Sequence, residues 1–378
     1  MPISMNILLR GQLSFMNIFF EVIGVASYSE KHFNDVIARE EIKMIPVEIE
    51  RDIAPFKDLL SLWKLYVLFR KEKPDMVHSI TPKAGLLTMM AAFFAHVPIR
   101  MHTFTGLIFP SRQGILQHLL IFMDRTLCLM ATNVYPEGKG VKKDLEQYGI
   151  TNKRLKIIAN GNVNGINGDY FTPDFIQNKD AFRNNLKKEL GIQPEDIVFS
   201  FVGRISMEKG INELLDVFEE LSVNHKIKLM LIGTYDKNML SKELIKRIEN
   251  NNSVLFLGRF DDVRPYYSIS DIFVLPSYRE GFPNSVLEAG AMGVPCIVTD
   301  INGCNEIILD CHNGLIVKPK DRETLRDAMS SLITDEILRN RLSANSRPHI
   351  LKYYKREEVW SALKSEYELL LSEIKNDK

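Results

Sequence analysis

Two acids eight positions apart, Glu280 and Glu288, bracket the turn Gly281-Phe282-Pro283-Asn284 in the stretch EGFPNSVLE. Ahead of the turn runs an apolar segment, Asp271–Pro276, and after it a small-residue helical segment, Ser285–Gly293. The turn therefore ends a strand and opens a helix, where backbone N–H groups and the helix dipole favour an anionic or hydroxyl-rich ligand. Glu280 falls in the loop and Glu288 about one helical turn inside, so both can serve one crevice. A carboxylate accepts two hydroxyls at once, which makes paired acids natural partners for a hexose and a ribose. The plainer alternative makes Glu280 a dipole-compensating acid and Glu288 a solvated helix residue.

A second constellation precedes it. Val198–Val202 is a short apolar run, followed by Gly203-Arg204-Ile-Ser-Met-Glu-Lys209-Gly210 and an amphipathic segment, Ile211–Phe218. This is strand, glycine-bounded loop and helix, with two cations in the loop. Arg204 suits a forked contact to a diphosphate and Lys209 a point charge beside it. Read blandly, both are surface charges, but both lie at a strand's carboxyl end, where ligands collect in open α/β sheets.

The pairing of Gly-Arg-x4-Lys-Gly with a later Glu-x7-Glu inside SYREGFPNSVLEAGAMGVPCIVTD resembles the retaining, GT-B-fold glycosyltransferases of family 4. The similarity covers nearly the whole chain. In the first half, His78–Gly85, Arg100–Gly106 and Ile158–Gly165 resemble members that build bacterial capsule, O-antigen or related glycans on a lipid carrier. The resemblance implies two Rossmann-like, doubly wound parallel-sheet domains facing a cleft. It implies that Arg204 and Lys209 neutralise a donor diphosphate lying over Gly203, that Glu280 touches the donor sugar and that Glu288 holds the ribose. The backbone at Gly281 and Phe282 would reach the sugar, with Pro283 and Asn284 completing the turn, and the backbone around Arg259 and Phe260 would meet the base. Lys83, His102 and Thr105 are the candidates for contact with acceptor or cleft, although a lone histidine such as His102 is more often a packed or solvent-facing residue.

The donor would be a nucleotide-diphosphate sugar, most simply a UDP-sugar, and the acceptor a lipid-linked glycan. Such enzymes work without a bound metal, and the sequence holds no DxD triplet and no His/Cys cluster at ligand spacing. No cofactor is expected. A GT-B-shaped UDP-sugar 2-epimerase, or an inactive donor-binding homologue, are the competing readings.

The elements that must position these residues alternate short apolar runs with helical periods. In the first half, Phe20–Ser27, Met76–Ile80, Ile99–Phe104, Asn133–Tyr135 and Leu155–Ala159 read as strands, with helices at Asn6–Phe20 and Phe56–Glu72. In the second half, Ile197–Val202, Lys228–Ile232, Val254–Phe256, Ile272–Leu275 and Pro295–Thr299 read as strands. The joint falls within Asn160–Pro194, giving an acceptor domain over 1–165 and a nucleotide-sugar domain over 166–352. By resemblance, a C-terminal segment over 353–378 crosses back onto the first. The family normally opens with a central strand, whereas here Met1-Pro-Ile-Ser leads almost directly into the first helix. Loss of that strand would expose edges on both neighbours. Either the start is internal to a longer protein, or Met1–Ser4 is a loop remnant and activity is impaired.

Composition fits this scheme without deciding it. The chain has 378 residues, 45% of them hydrophobic and 25% charged, with a formal net charge of zero that gives no support to nucleic-acid binding. The first 160 residues carry 20 Lys and Arg against 15 Asp and Glu, and no acid falls between Asp75 and Asp124. That window, with Lys83, Arg100, Arg112 and four histidines, suits either buried parallel elements or a surface meeting a lipid diphosphate at an anionic membrane. The apolar run Ala84–Phe94 is too short to span a bilayer and Ile115–Val134 is interrupted by His118, Asp124 and Arg125. Four cysteines without CxxC spacing and no secretory leader point to the cytoplasm, or to the inner face of the membrane as a peripheral protein.

Overall fold

The computed structural model describes residues 2–50, 54–235 and 240–376. The chain divides into two compact units, Met1–Gly165 together with Arg356–Lys378, and Ile166–Lys355.

In the second unit, β6 (Ile197–Val202), β7 (Ile227–Ile232), β8 (Val254–Gly258), β9 (Ile272–Leu275), β10 (Cys296–Thr299) and β11 (Gly314–Val317) form one parallel sheet in the order β11-β10-β9-β6-β7-β8. Each strand of this set is short and rich in Val, Ile, Leu and Phe, because helices cover both faces and no alternation with polar residues is needed. All four residues of β9 and of β10 are buried accordingly. Chain order runs outward from β6 through β7 to β8, then returns to the other side of β6 at β9. The order therefore reverses between β6 and β9. Helix Ile211–Ser222 lays Ile211, Leu214, Leu215 and Phe218 into the core, an i, i+3, i+4, i+7 stripe, with Val217 buried beside it. Arg347 fastens the entry segment to this unit by donating to the carbonyls of Gly168 and Phe171.

In the first unit the strands lie in two pieces. β1 (Ile23–Ala26) pairs with β2 (Lys43–Pro46), and β3 (Met76–Ser79), β4 (Ile99–Phe104) and β5 (Asn133–Pro136) form a parallel set. Alternation along β4 sorts its neighbours into layers. Ile99 and Met101 join Met16, Leu363 and Leu370 of helices Gln12–Asn17 and Arg356–Asn376 on one face. Phe104 joins Met89, Leu127 and Cys128 of helices Pro82–Phe94 and Gly114–Met130 on the other.

Three expectations fail here. Leu155–Ala159 forms no strand: Leu155 sits in the core beneath helix Gly114–Met130 and Ile158 packs against the opposite layer, so its apolar character reports burial on both sides rather than ladder pairing. The expected helix Asn6–Phe20 is two, Pro2–Leu8 and Gln12–Asn17, because Gly11 adopts φ 79° and breaks the run. The buried Glu40 carboxylate then accepts from the Gly11 and Ser14 amides at 2.8 and 3.0 Å, satisfying donors that the break exposes. Finally, β2 and β11 are strands that the apolar pattern did not announce.

Candidate functional site

Strand β6 delivers Gly203 and Arg204 at its carboxyl end, and a single 3₁₀ turn, Met207–Lys209, leads into helix Ile211–Ser222. Gly210 joins them at φ 71°, with its backbone against the end of β9. A Cβ there would stand 2.0 Å from the Pro276 carbonyl oxygen, so only glycine allows this approach. The two neighbouring loops are thereby locked together. The Tyr278 amide donates to the Glu208 carbonyl at 2.9 Å, Ser277 Oγ donates to the same carbonyl, and Tyr278 donates its hydroxyl to Glu213.

Across this junction Lys209 Nζ donates to Glu280 Oε1, with only 20% and 11% of their side chains exposed. Two oppositely charged groups thus sit largely desolvated where the strand order reverses, the position at which open α/β sheets bind ligands. Arg204 stands exposed nearby in sequence, at the end of β6. Pro283 caps helix Asn284–Ala291, with Phe282 buried against Tyr354 at 5.5 Å between ring centroids. Glu288 lies one turn into that helix, and its Oε2 accepts from the buried Tyr267 hydroxyl at 3.2 Å. Desolvation pushes the Tyr267 phenol far above its ordinary range, so it stays a donor. Arg259 and Phe260 follow the edge strand β8, both exposed, with the Phe260 ring 4.6 Å from that of Tyr266.

The second unit therefore brings Lys209 and Glu280 into direct contact and sets Gly203, Arg204, Gly281, Phe282, Pro283, Asn284, Glu288, Arg259 and Phe260 at the carboxyl ends of β6, β8 and β9 or just beyond. Sequence reasoning missed two neighbours. Tyr267 orients Glu288 from 21 residues away, and no spacing rule announces that pair. Gly303 opens helix Cys304–Ile307 against the turn: at φ 74°, a Cβ on it would meet the Gly281 carbonyl oxygen at 2.2 Å. The glycine in Ile301-Asn-Gly-Cys304, directly after β10, was the available signal.

The first unit treats its three candidates differently. Lys83 lies in the first turn of helix Pro82–Phe94 and pairs with Asp58 at 2.6 Å. Thr105 donates its hydroxyl to the Ile80 carbonyl at 2.9 Å. His102 is 1% exposed, shares a hydrogen bond with Ser79 at 2.8 Å and fills the space beside Gly85. Burial lowers its pKa to about 3, so the ring is a neutral core residue. His78, lowered to about 4 by the same cause, bonds Tyr367 at 2.6 Å and Thr103 at 2.8 Å.

Residues 19–162 match the model of Glycosyltransferase Family 4 and residues 182–349 that of Glycosyl transferases group 1. A capsular polysaccharide biosynthesis glycosyltransferase of Staphylococcus aureus is 30% identical over 372 residues, 97% of this chain and 94% of that protein. The chain belongs to glycosyltransferase family 4. An Escherichia coli relative, named UDP-Gal:alpha-D-GlcNAc-diphosphoundecaprenol alpha-1,3-galactosyltransferase, is 30% identical over 80% of this chain and 77% of its own length. The solved structure of Anabaena HepE in complex with UDP matches with a TM-score of 0.77 over 94% of both chains at 17% identity, which establishes the GT-B fold. The protein is a glycosyltransferase of surface-glycan type, and these relatives, named as transferases and biosynthetic glycosyltransferases, do not favour the epimerase alternative.

Proposed function

We propose that this glycosyltransferase moves a hexose or N-acetylhexosamine from a UDP-sugar to a glycan carried on a lipid diphosphate, with retention at the anomeric carbon. The observation that carries the reading is the Lys209–Glu280 pair at the reversal point of the second sheet, next to the start of helix Ile211–Ser222. The E. coli relative's name, with its UDP-sugar donor and diphosphoundecaprenol acceptor, supports the substrate class.

In this scheme the bond between the anomeric carbon and the diphosphate oxygen breaks while the acceptor hydroxyl attacks from the same face. The leaving phosphate oxygen takes the acceptor's proton, so no dedicated base is needed. Arg204 and Lys209, with the amides that open the helix at Ile211, stabilise the charge that develops on that oxygen. Glu280 accepts from hydroxyls of the sugar and Glu288 from those of the ribose, the latter oriented by Tyr267. Arg259 and Phe260 lie beside the base. Metal independence is part of the proposal, since these cations would do the work that a divalent ion does in other transferases. A lipid-borne acceptor also implies that the enzyme works at the inner face of a membrane. Among the described residues no helix is long and apolar enough to cross one.

The test is UDP release from a panel of UDP-sugars with and without an undecaprenyl-diphosphate-linked glycan, repeated in excess EDTA. Release that requires the acceptor, yields an α-linked product from an α-linked donor and survives chelation is expected. Release without acceptor, an inverted linkage, or activity that chelation abolishes and Mg²⁺ restores would each overturn the corresponding part.

A further inference from the structure

Helix Pro55–Glu72 has two apolar faces, and the first unit uses only one. Ser61, Leu65 and Phe69, at i, i+4 and i+8, turn into the core beside helix Pro82–Phe94. At 100° per residue, Phe56, Leu60, Trp63 and Val67 fall on the opposite side, and all four are exposed, Phe56 by 89% and Trp63 by 62%. Helix Gly114–Met130, which packs on the other flank of Pro82–Phe94, repeats the arrangement. Leu127 and Cys128 are buried, while Ile115, Leu119 and Phe122 face out. Scattered exposed leucines need no explanation, but two parallel stripes on one helical layer, including a tryptophan and two phenylalanines, exceed what a solvated face carries.

The outward charges that helix Pro55–Glu72 itself carries beside its stripe have one sign. Lys64, Arg70 and Lys71 are exposed along the flanks of the first stripe. The acids of both helices lie elsewhere. Asp58 turns inward to Lys83, Glu72 pairs with Lys43, and Asp124 is half-buried, its carboxyl pushed up to about 7 by desolvation. An apolar band with an exposed indole, edged by cations and free of outward acids, is the pattern of a helix lying in the headgroup region of an anionic bilayer.

We infer that the outward face of helices Pro55–Glu72 and Gly114–Met130 is a docking surface for an anionic phospholipid bilayer, with Phe56, Trp63, Ile115 and Phe122 as the inserting side chains. The inference rests on the reading that the acceptor is lipid-borne, and it names the surface that would bring the enzyme to it. Insertion of the apolar side chains supplies depth and the flanking lysines and arginines supply preference for negative lipid.

The experiment uses the full-length protein without donor or acceptor, so its outcome is independent of the transfer reaction. The chain has two tryptophans, and Trp360 is only 7% exposed, bonding Asn164 at 2.7 Å. Trp360→Phe therefore leaves Trp63 as the reporter. Vesicles of equal parts phosphatidylglycerol and phosphatidylcholine should shift the Trp63 emission to the blue and allow its quenching by brominated acyl chains, whereas phosphatidylcholine alone should not. Co-flotation of the unsubstituted chain provides the same reading should Trp360→Phe fail to fold. Phe56→Ser with Trp63→Ser should weaken partitioning about tenfold or more, and Lys64→Glu with Lys71→Glu should remove the preference for anionic lipid. Neither pair touches the donor site, so UDP affinity measured without vesicles stays unchanged. Absence of vesicle binding, binding indifferent to these substitutions, or self-association that the same substitutions abolish in a chain that ignores vesicles would overturn the inference.

Discussion

Replacing Lys209 by methionine separates the catalytic from the structural consequence of its pairing with Glu280. Methionine keeps most of the unbranched stem and removes the charge, which leaves the Glu280 carboxylate at a position where 11% of its side chain meets water. Breaking a fully buried ion pair costs about 3–5 kcal/mol, and partial exposure here reduces that to roughly 2 kcal/mol. In a unit of this size, Ile166–Lys355, such a loss lowers Tm by roughly 4–8 °C. Glu280→Gln alone strands the ammonium instead, at smaller cost because Lys209 is the more exposed partner. The double variant leaves neither charge unpaired and should regain most of the lost stability, giving a coupling of about 1–2 kcal/mol in a double-mutant cycle. Transfer behaves differently. The proposed diphosphate site loses one of its two cations in both lysine variants, so kcat/KM falls by about a hundredfold or more and the double variant does not recover it. Thermal unfolding and UDP-release kinetics on the four proteins decide the matter. Additive stability effects would show that the pair is not coupled, and a double variant with restored transfer would show that Lys209 serves Glu280 rather than the donor.

Tyr267→Phe should raise the donor KM about three- to tenfold while changing kcat little, because Glu288 loses the hydroxyl that orients it and the chemistry lies elsewhere. An unchanged KM in steady-state kinetics would make Tyr267 a purely structural residue. The buried imidazoles of His78 and His102 predict an acid limb. Their folded pKa values, about 4 and about 3, lie below the ordinary value of 6.5, so the unfolded chain binds protons that the folded one refuses. Their stabilising contribution is complete above about pH 6.5 and disappears as the pH falls toward 4 and then 3. The urea midpoint of the full-length protein should accordingly fall over that window, and His102→Gln should flatten the fall. A wild-type midpoint that stays level between pH 7 and 4 would contradict the burial argument.

The candidate residues of the second unit were legible as strand-end and turn positions because each stood at a transition between patterns. Gly203 ended an apolar run, Lys209 preceded an amphipathic one, and Glu280 and Glu288 flanked a Gly-Phe-Pro-Asn turn. Placement at the carboxyl end of a strand follows from such boundaries. What remained hidden depends on contacts between distant segments. The Tyr267–Glu288 bond, the closeness of Gly303 to Gly281 and the burial of His102 beside Gly85 arise only when helices pack on the sheet. The same holds for elements. Strands β2 and β11 lie at sheet edges, where Lys43 and Pro46 remain exposed and Gly314 opens the strand, so neither displays the continuous apolar run of a central strand. Leu155–Ala159 displays the run without the ladder.

The loops that bear Lys209 and Glu280 hang from β6 and β9, adjacent strands with a neighbour on each side, whereas Arg259 and Phe260 hang from β8 at the sheet's margin. A strand clamped on both sides opens only when the sheet does, while a marginal strand loosens by itself. A substitution at Arg259 or Phe260 therefore disturbs only the rim, whereas one that breaks the grip between Lys209 and Glu280 acts on strands at the middle of the unit.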